Sequence, residues 1–342
     1  MSDASLLSRE LRDVEVVQSR GADLDQRLKS ALRPFVIRGI AADWPLVRSG
    51  LDGGGKAARA YLLKHARNRR FEVNVGQPGA GGRLFYDDQM GMNFRMGRAA
   101  LGDIFAGIDA NEDKPDTPVI YLSSLNIHDY FDGLHEANHI ELGGRATRDA
   151  IWIGTRTEIA PHNDIPQNVA VCAVGRRRFT LFPPESFADL YLGPLENTPA
   201  GRAVSMVDLA DPDFARFPRF RKAVEQAEVA LLEPGDGLFI PSMWFHHVEA
   251  LSPFNVLVNY WWRDTPQFLG DPEHALLHAI LAVRDLPDEA RERWRALFDH
   301  YVFSKSEEAT AHLAEGARGI LDPLNAESAG ALRAFLLRGL SQ

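Results

Sequence analysis

The chain has 342 residues, 45% hydrophobic and 25% charged, enough for one large domain or two ordinary ones, and this composition argues against disorder throughout. Its 38 Lys and Arg against 47 Asp and Glu leave a net charge of −9, a poor basis for general nucleic-acid binding, which needs a cationic surface. The single cysteine, Cys172, excludes an intrachain disulfide and a cysteine-rich zinc module.

Taken in chain order, the N-terminal stretch MSDASLLSRELRDVEVV is charged and lacks the apolar core of a secretory signal. No run approaches the ~18 uninterrupted apolar residues that would suggest a membrane span, so a cytoplasmic location is expected. Residues 24–32 have helical spacing, 34–39 read as a short strand, 57–67 as a helix and 71–75 as a half-buried strand. The centre is strand-rich, with short β-branched and aromatic runs at 119–122, 150–153, 168–174, 179–182, 229–232, 237–240 and 256–261. Many short strands with Gly and Pro turns predict a sandwich or barrel. A helix is expected from Phe217, inside the polar stretch 208–227. After about Thr265 the pattern becomes helical, over 272–284, 287–301, 307–320 and 328–339. This tail is expected to pack on the barrel or on a second copy of itself.

Two histidine groups point to different chemistry. In Pro161-His162-Asn163-Asp164, strand alternation lets His162 and Asp164 reach one metal. The downstream run Pro234 to His247, a turn followed by an apolar strand, can return to that strand in an antiparallel barrel and bring a second histidine. Two His and one carboxylate with open positions is the arrangement of non-haem Fe(II) oxygenases. Parity alone does not decide whether His246 or His247 faces inward. The second group, His135-Glu136-Ala137-Asn138-His139, matches the H-E-x-x-H pattern of zinc hydrolases. Its flanks, with Gly133, Gly143 and Gly144, allow only a short helix, and surface or capping roles for His135 and His139 are the simpler reading.

The ordered set Trp152-Ile153-Gly154, Pro161 to Asp164, Gln167-Asn168, Gly175 to Pro184, Pro234-Gly235-Asp236, Ile240-Pro241, Trp244 to His247 and Val258 to Trp261 resembles Jumonji-C proteins of the cupin-8 type. It looks like the asparaginyl hydroxylase that inhibits hypoxia-inducible factor, and like its bacterial relatives, over roughly residues 30–265. The resemblance implies a mainly β fold with flanking helices: a double-stranded β-helix (cupin/Jumonji-C barrel) over 116–265, completed by a mixed α/β segment over 1–115; the helical region over 266–342 rests on its own helical spacing. The resemblance also implies Fe(II) on His162, Asp164 and, by register, His247, with 2-oxoglutarate as co-substrate. Arg177 stands where the family has a basic residue, usually Lys, for the distal carboxylate of 2-oxoglutarate. Tyr121 matches a tyrosine on the same carboxylate, and Asn168 and Asn259 match polar positions near the iron end. A family threonine is replaced by Ile159, and Trp261 resembles an aromatic pocket wall. The implied activity is hydroxylation of a C–H bond, with a protein or peptide side chain favoured over nucleic acid; separately from the resemblance, the C-terminal helices offer a candidate homodimer contact. A non-catalytic cupin-fold binding protein and a zinc hydrolase through His135, Glu136 and His139 are the alternatives.

Overall fold

The computed structural model describes residues 11–18, 20–79, 81–112, 114, 117–304, 309–314 and 316–341. The strands are β1 (Arg12–Asp13), β2 (Glu15–Val17), β3 (Phe35–Ile37), β4 (Arg70–Gly76), β5 (Phe94–Ala100), β6 (Val119–Asn126) and β7 (Arg148–Gly154). They continue as β8 (Thr157–Asn163), β9 (Gln167–Val174), β10 (Arg177–Phe182), β11 (Glu228–Leu232), β12 (Gly237–Ile240), β13 (Phe245–Ala250) and β14 (Asn255–Trp262). One sheet runs β1-β11-β10-β13-β8, the other β2-β3-β12-β9-β14-β7-β6-β4-β5.

The two sheets face each other across a shared core. Phe179 and Leu181 on β10, Leu232 on β11 and Val248 on β13 pack with Ala170 and Cys172 on β9, Leu238 and Ile240 on β12 and Leu257 on β14. Each such Phe, Leu, Ile or Val contributes about 1.5–3 kcal/mol by leaving water. Alternation turns the intervening residues of the larger sheet outward, where Val169, Val171, Ile151, Ile153, Val256 and Val258 form a second core. The helices Gly21–Ser30, Pro45–His65 and Leu101–Asp109 cover this outer face, through Leu24, Leu28, Leu46, Leu62, Ile104 and Phe105. The structure is thus mainly β with flanking helices, a two-sheet barrel as expected.

Several elements differ from the sequence reading in extent, two helices among them. The helix expected over 57–67 begins at Pro45 and is broken at Gly53 and Gly54, where the backbone is non-helical. The helix expected from Phe217 is Phe220–Gln226. β1, β2, β5, β13 and the helix Leu101–Asp109 were not anticipated.

The chain divides into two compact units, the second beginning at Arg263. That unit holds the helices Pro272–Ala282, Asp288–Phe298 and Ala326–Leu340. Asp271 caps the first through the Glu273 amide, and Asn325 and Ser328 form a reciprocal capping box on the last. The helix expected over 307–320 falls partly outside the described residues. Within it a turn surrounds Thr310, and a 3-10 turn occupies Gly319–Leu321. No helix among the described residues is long and apolar enough to cross a membrane.

Candidate functional site

β8 and β13 are antiparallel neighbours, and His246 lies directly opposite His162. Residues directly opposite on paired strands share a face, and the two imidazole centroids are 4.4 Å apart. On its other edge β13 pairs with β10, where His246 faces Leu181 and Val248 faces Phe179. Both partners belong to the core between the sheets, so His246 points inward. His247 faces Thr180 and takes the opposite side. Its Nε2 lies 3.2 Å from Glu158 Oε1 and its Nδ1 3.7 Å from Glu249 Oε2. This corrects the expectation for His247: the histidine brought to His162 and Asp164 is His246.

A bulge explains the parity. The register shifts between His246 and Val248, so that Ile159 opposes Val248 while His162 opposes His246. Three steps along β8 match two along β13, and the extra residue reverses the alternation. Ile159 and His162 therefore share the inner face, and Glu158 is left outside with His247. Burial pushes the Glu158 carboxyl up, but His247, Arg83 and Arg178 outweigh this and hold it below its usual value.

Asp164 follows β8 directly, with Oδ2 3.9 Å from His246 Nε2. The turn that leads into β13 holds it there. The Met243 amide donates to the Asp164 carbonyl (2.8 Å), the Ser242 amide donates to Gln167 Oε1 (3.0 Å), and the Ser242 hydroxyl donates to the Ile165 carbonyl.

Both inward histidines are oriented by the backbone. His162 Nδ1 lies 2.9 Å from the Ala160 carbonyl and His246 Nδ1 3.2 Å from the Trp244 carbonyl. A carbonyl only accepts, so each Nδ1 donates and each Nε2 is the ring nitrogen left to face a metal. Burial and the adjacent His162 push His246 down to about 4, which keeps it neutral, the ligating form, at neutral pH. Two imidazoles and one carboxylate suit a divalent transition metal. Among the described residues, however, the group of three whose ligating atoms all lie within 4.8 Å is a different one, His128, His135 and Asp149.

Deeper in the barrel, Arg177 shares the inner face of β10 with Phe179 and Leu181 and is only 2% exposed. Its neighbours in sequence point out, Arg178 onto Glu249 and Arg176 near Glu233. No carboxylate pairs with Arg177 among the described residues, and its Nε has no hydrogen-bond partner. Burial pulls its pKa down, and the Tyr121 hydroxyl and Cys172 thiol are the groups whose field it feels. Tyr121 is buried, stacks on Trp152 at 5.8 Å, and has its hydroxyl pushed up to about 12 by burial despite Arg177. Asn259 Nδ2 donates to Asn168 Oδ1 at 2.8 Å, which leaves Asn259 Oδ1 buried and unpartnered. Trp261 meets Trp152 edge-on at 6.0 Å, and both indole N–H groups are buried without acceptors. The inner face thus carries a cation and two indole donors left unsatisfied, an environment complementary to an anionic ligand, and beside them one amide oxygen that lacks a donor.

The H-E-x-x-H segment does not form a hydrolase arrangement. Its helix is only Leu134–Ala137. His139 lies beyond it, with Nε2 2.9 Å from Glu141, and Glu136 is exposed. His135 turns instead to Asp149 and His128.

The family model described as "Cupin-like domain" matches residues 22–268. The chain belongs to this family. Among curated relatives, this cupin-like chain is 34% identical to human HSPB1-associated protein 1 over 143 residues, 41% of this chain and 28% of that one. It is 38% identical to zebrafish tRNA wybutosine-synthesizing protein 5 over 105 residues, 31% and 29% of the two chains. It is also 32% identical to Arabidopsis thaliana lysine-specific demethylase JMJ31 over 113 residues, 33% and 20%. Each of these matches spans less than a third of the relative's length.

Proposed function

We propose that this chain is an Fe(II)- and 2-oxoglutarate-dependent oxygenase, with the metal on His162, Asp164 and His246. The observation that carries the reading is Arg177, a buried guanidinium with no counter-charge, on the same inner barrel face as His246. An unpaired buried cation is costly, and a dicarboxylate with one end at the metal and the other at Arg177 removes that cost. An Arg can grip a carboxylate through two parallel N–H bonds. Tyr121 would add a hydroxyl to that carboxylate, and Asn259 and Asn168 would orient the metal-proximal end. Bound iron, 2-oxoglutarate and dioxygen together supply oxidative decarboxylation coupled to hydroxylation of a C–H bond. The protein's part is to exclude water, through Phe179, Leu181, Val248 and Leu257, and to aim Nε2 of both histidines at the metal through their Nδ1 contacts with backbone carbonyls.

The primary substrate we favour is a protein or peptide side chain. The net charge of −9 opposes phosphate binding, and one relative is named for association with a protein. The relative named for tRNA modification makes RNA the competing outcome. The finer likeness to an asparaginyl hydroxylase and a cytoplasmic location belong to the same proposal. So does a homodimer through the C-terminal unit, whose helices leave Leu276, Leu281, Trp294, Phe303 and Phe335 exposed.

The test is an anaerobic titration of metal-free protein with Fe(II) and 2-oxoglutarate, followed by visible absorption. A weak charge-transfer band is expected in the native chain and in His247→Ala, and is expected to vanish in His162→Ala, Asp164→Ala and His246→Ala. A band that survives His246→Ala but not His247→Ala would overturn the ligand assignment. Absence of any band would overturn the oxygenase reading and leave a binding module.

A further inference from the structure

The outer face of the larger sheet carries a second group of metal-ligating side chains, remote in topology from the barrel interior. Asp149 and Ala150 are consecutive on β7 and take opposite faces. Ala150 pairs with Asn259 on the inner side, whereas Asp149 pairs with Tyr260, which belongs to the helix-covered core. Against Asp149 stand two short helical turns. Ile127–Tyr130 brings His128, held by the Asn126 side chain, which accepts from the His128 and Asp129 amides. Leu134–Ala137 follows a left-handed Gly133 and brings His135.

His128 Nε2 lies 3.2 Å and His135 Nδ1 3.4 Å from the same oxygen, Asp149 Oδ2. A tetrahedral ion with bonds of about 2.0–2.1 Å sets its ligand atoms roughly 3.3–3.4 Å apart, so both spacings are those of a coordination shell. Hydrogen bonding accounts for them less completely. His135 Nδ1 has no partner that meets hydrogen-bond geometry, and Asp149, only 5% exposed, keeps Oδ1 buried and unpartnered. Among the described residues no Lys or Arg pairs with this buried carboxylate, one oxygen of which is shared between two imidazoles while the other is unmatched.

We propose that His128, His135 and Asp149 bind a zinc-class divalent ion that pins the 127–137 segment to β7. Three protein donors leave a fourth position for water on the side of His128, whose side chain is 52% exposed. The role is structural: no ligand comes from the inner barrel face, and the oxygenase proposal neither requires this ion nor is required by it.

The test uses the full chain stripped by a chelator, with Zn(II) alone as probe. In His162→Ala/Asp164→Ala, which lacks two donors of the inner group, competition against a chromophoric chelator is expected to count one tightly held zinc per chain, and zinc is expected to raise Tm. Adding His128→Ala to that background should weaken zinc by at least about tenfold and abolish the rise in Tm. His135→Ala should do the same, while half-exposed His128 guards against a trivial loss of folding. If the double variant holds no zinc, or if His128→Ala and His135→Ala leave both affinity and Tm shift unchanged, the contacts are ordinary hydrogen bonds and the site is refuted.

Discussion

Arg177 sets the residue scale, because its charge sits in the barrel without a counter-ion among the described residues. Methionine keeps much of the length and removes the charge. Arg177→Met should therefore stabilise the ligand-free protein by about 1–3 kcal/mol in urea unfolding, while weakening 2-oxoglutarate by at least about tenfold. A variant that loses stability would show that the cation is already compensated. Cys172 is the opposite case, a group held neutral. Burial pushes its thiol from 9.0 to about 12, so between those values the folded chain keeps a proton that the unfolded chain releases. Its contribution to stability is full below pH 9 and is lost as pH rises toward 12. At pH 8 a thiol reagent should react on the order of 100-fold more slowly with native protein than in denaturant; equal rates would contradict the burial. At this scale the pairing of His162 with Asp164 was legible in the sequence as a local motif, whereas Arg177 was singled out by the resemblance, with Arg176 and Arg178 as competing candidates. The choice between His246 and His247 was not legible. It depends on a bulge in β8, which cannot be read from either strand alone.

Among the elements, the turn between β9 and β10 decides where Arg177 points. Gly175 there has φ +75, and an added Cβ would come 2.4 Å from Asn255 Oδ1 and 2.8 Å from the Phe254 carbonyl. Gly175→Ala combines backbone strain with a clash against backbone, and is expected to cost about 3 kcal/mol or more in denaturant unfolding. A cost below 1 kcal/mol would mean that the turn can rearrange freely. Short apolar runs identified most barrel strands, because β-branched residues buried on both faces leave a plain signal. β5 escaped because it is an edge strand, FRMGRAA, with Arg95, Met96, Gly97 and Arg98 exposed and no inward alternation. The helix Leu101–Asp109 did carry a signal, with Leu101, Ile104, Phe105 and Ile108 buried at helical spacing, and could have been read.

At the scale of the whole molecule, the second unit is the part least explained by its own packing. Its helices Pro272–Ala282 and Asp288–Phe298 contain no buried residue, and it exposes large apolar side chains such as Leu276, Leu281, Trp294, Phe303 and Phe335. Light scattering is expected to report a dimer for the full chain and a monomer for Leu281→Asp/Phe335→Asp. A native monomer would overturn the dimer. Helical spacing made the unit visible in sequence, whereas what its apolar faces meet is a tertiary matter that periodicity does not encode. The closed-off thiol of Cys172 also makes this chain a ready background for site-directed probes. A cysteine introduced at Met96, a position 84% exposed on the edge strand β5, would be the one site that a maleimide dye or spin label finds under native conditions, so ligand-dependent motion could be followed without first removing a native residue.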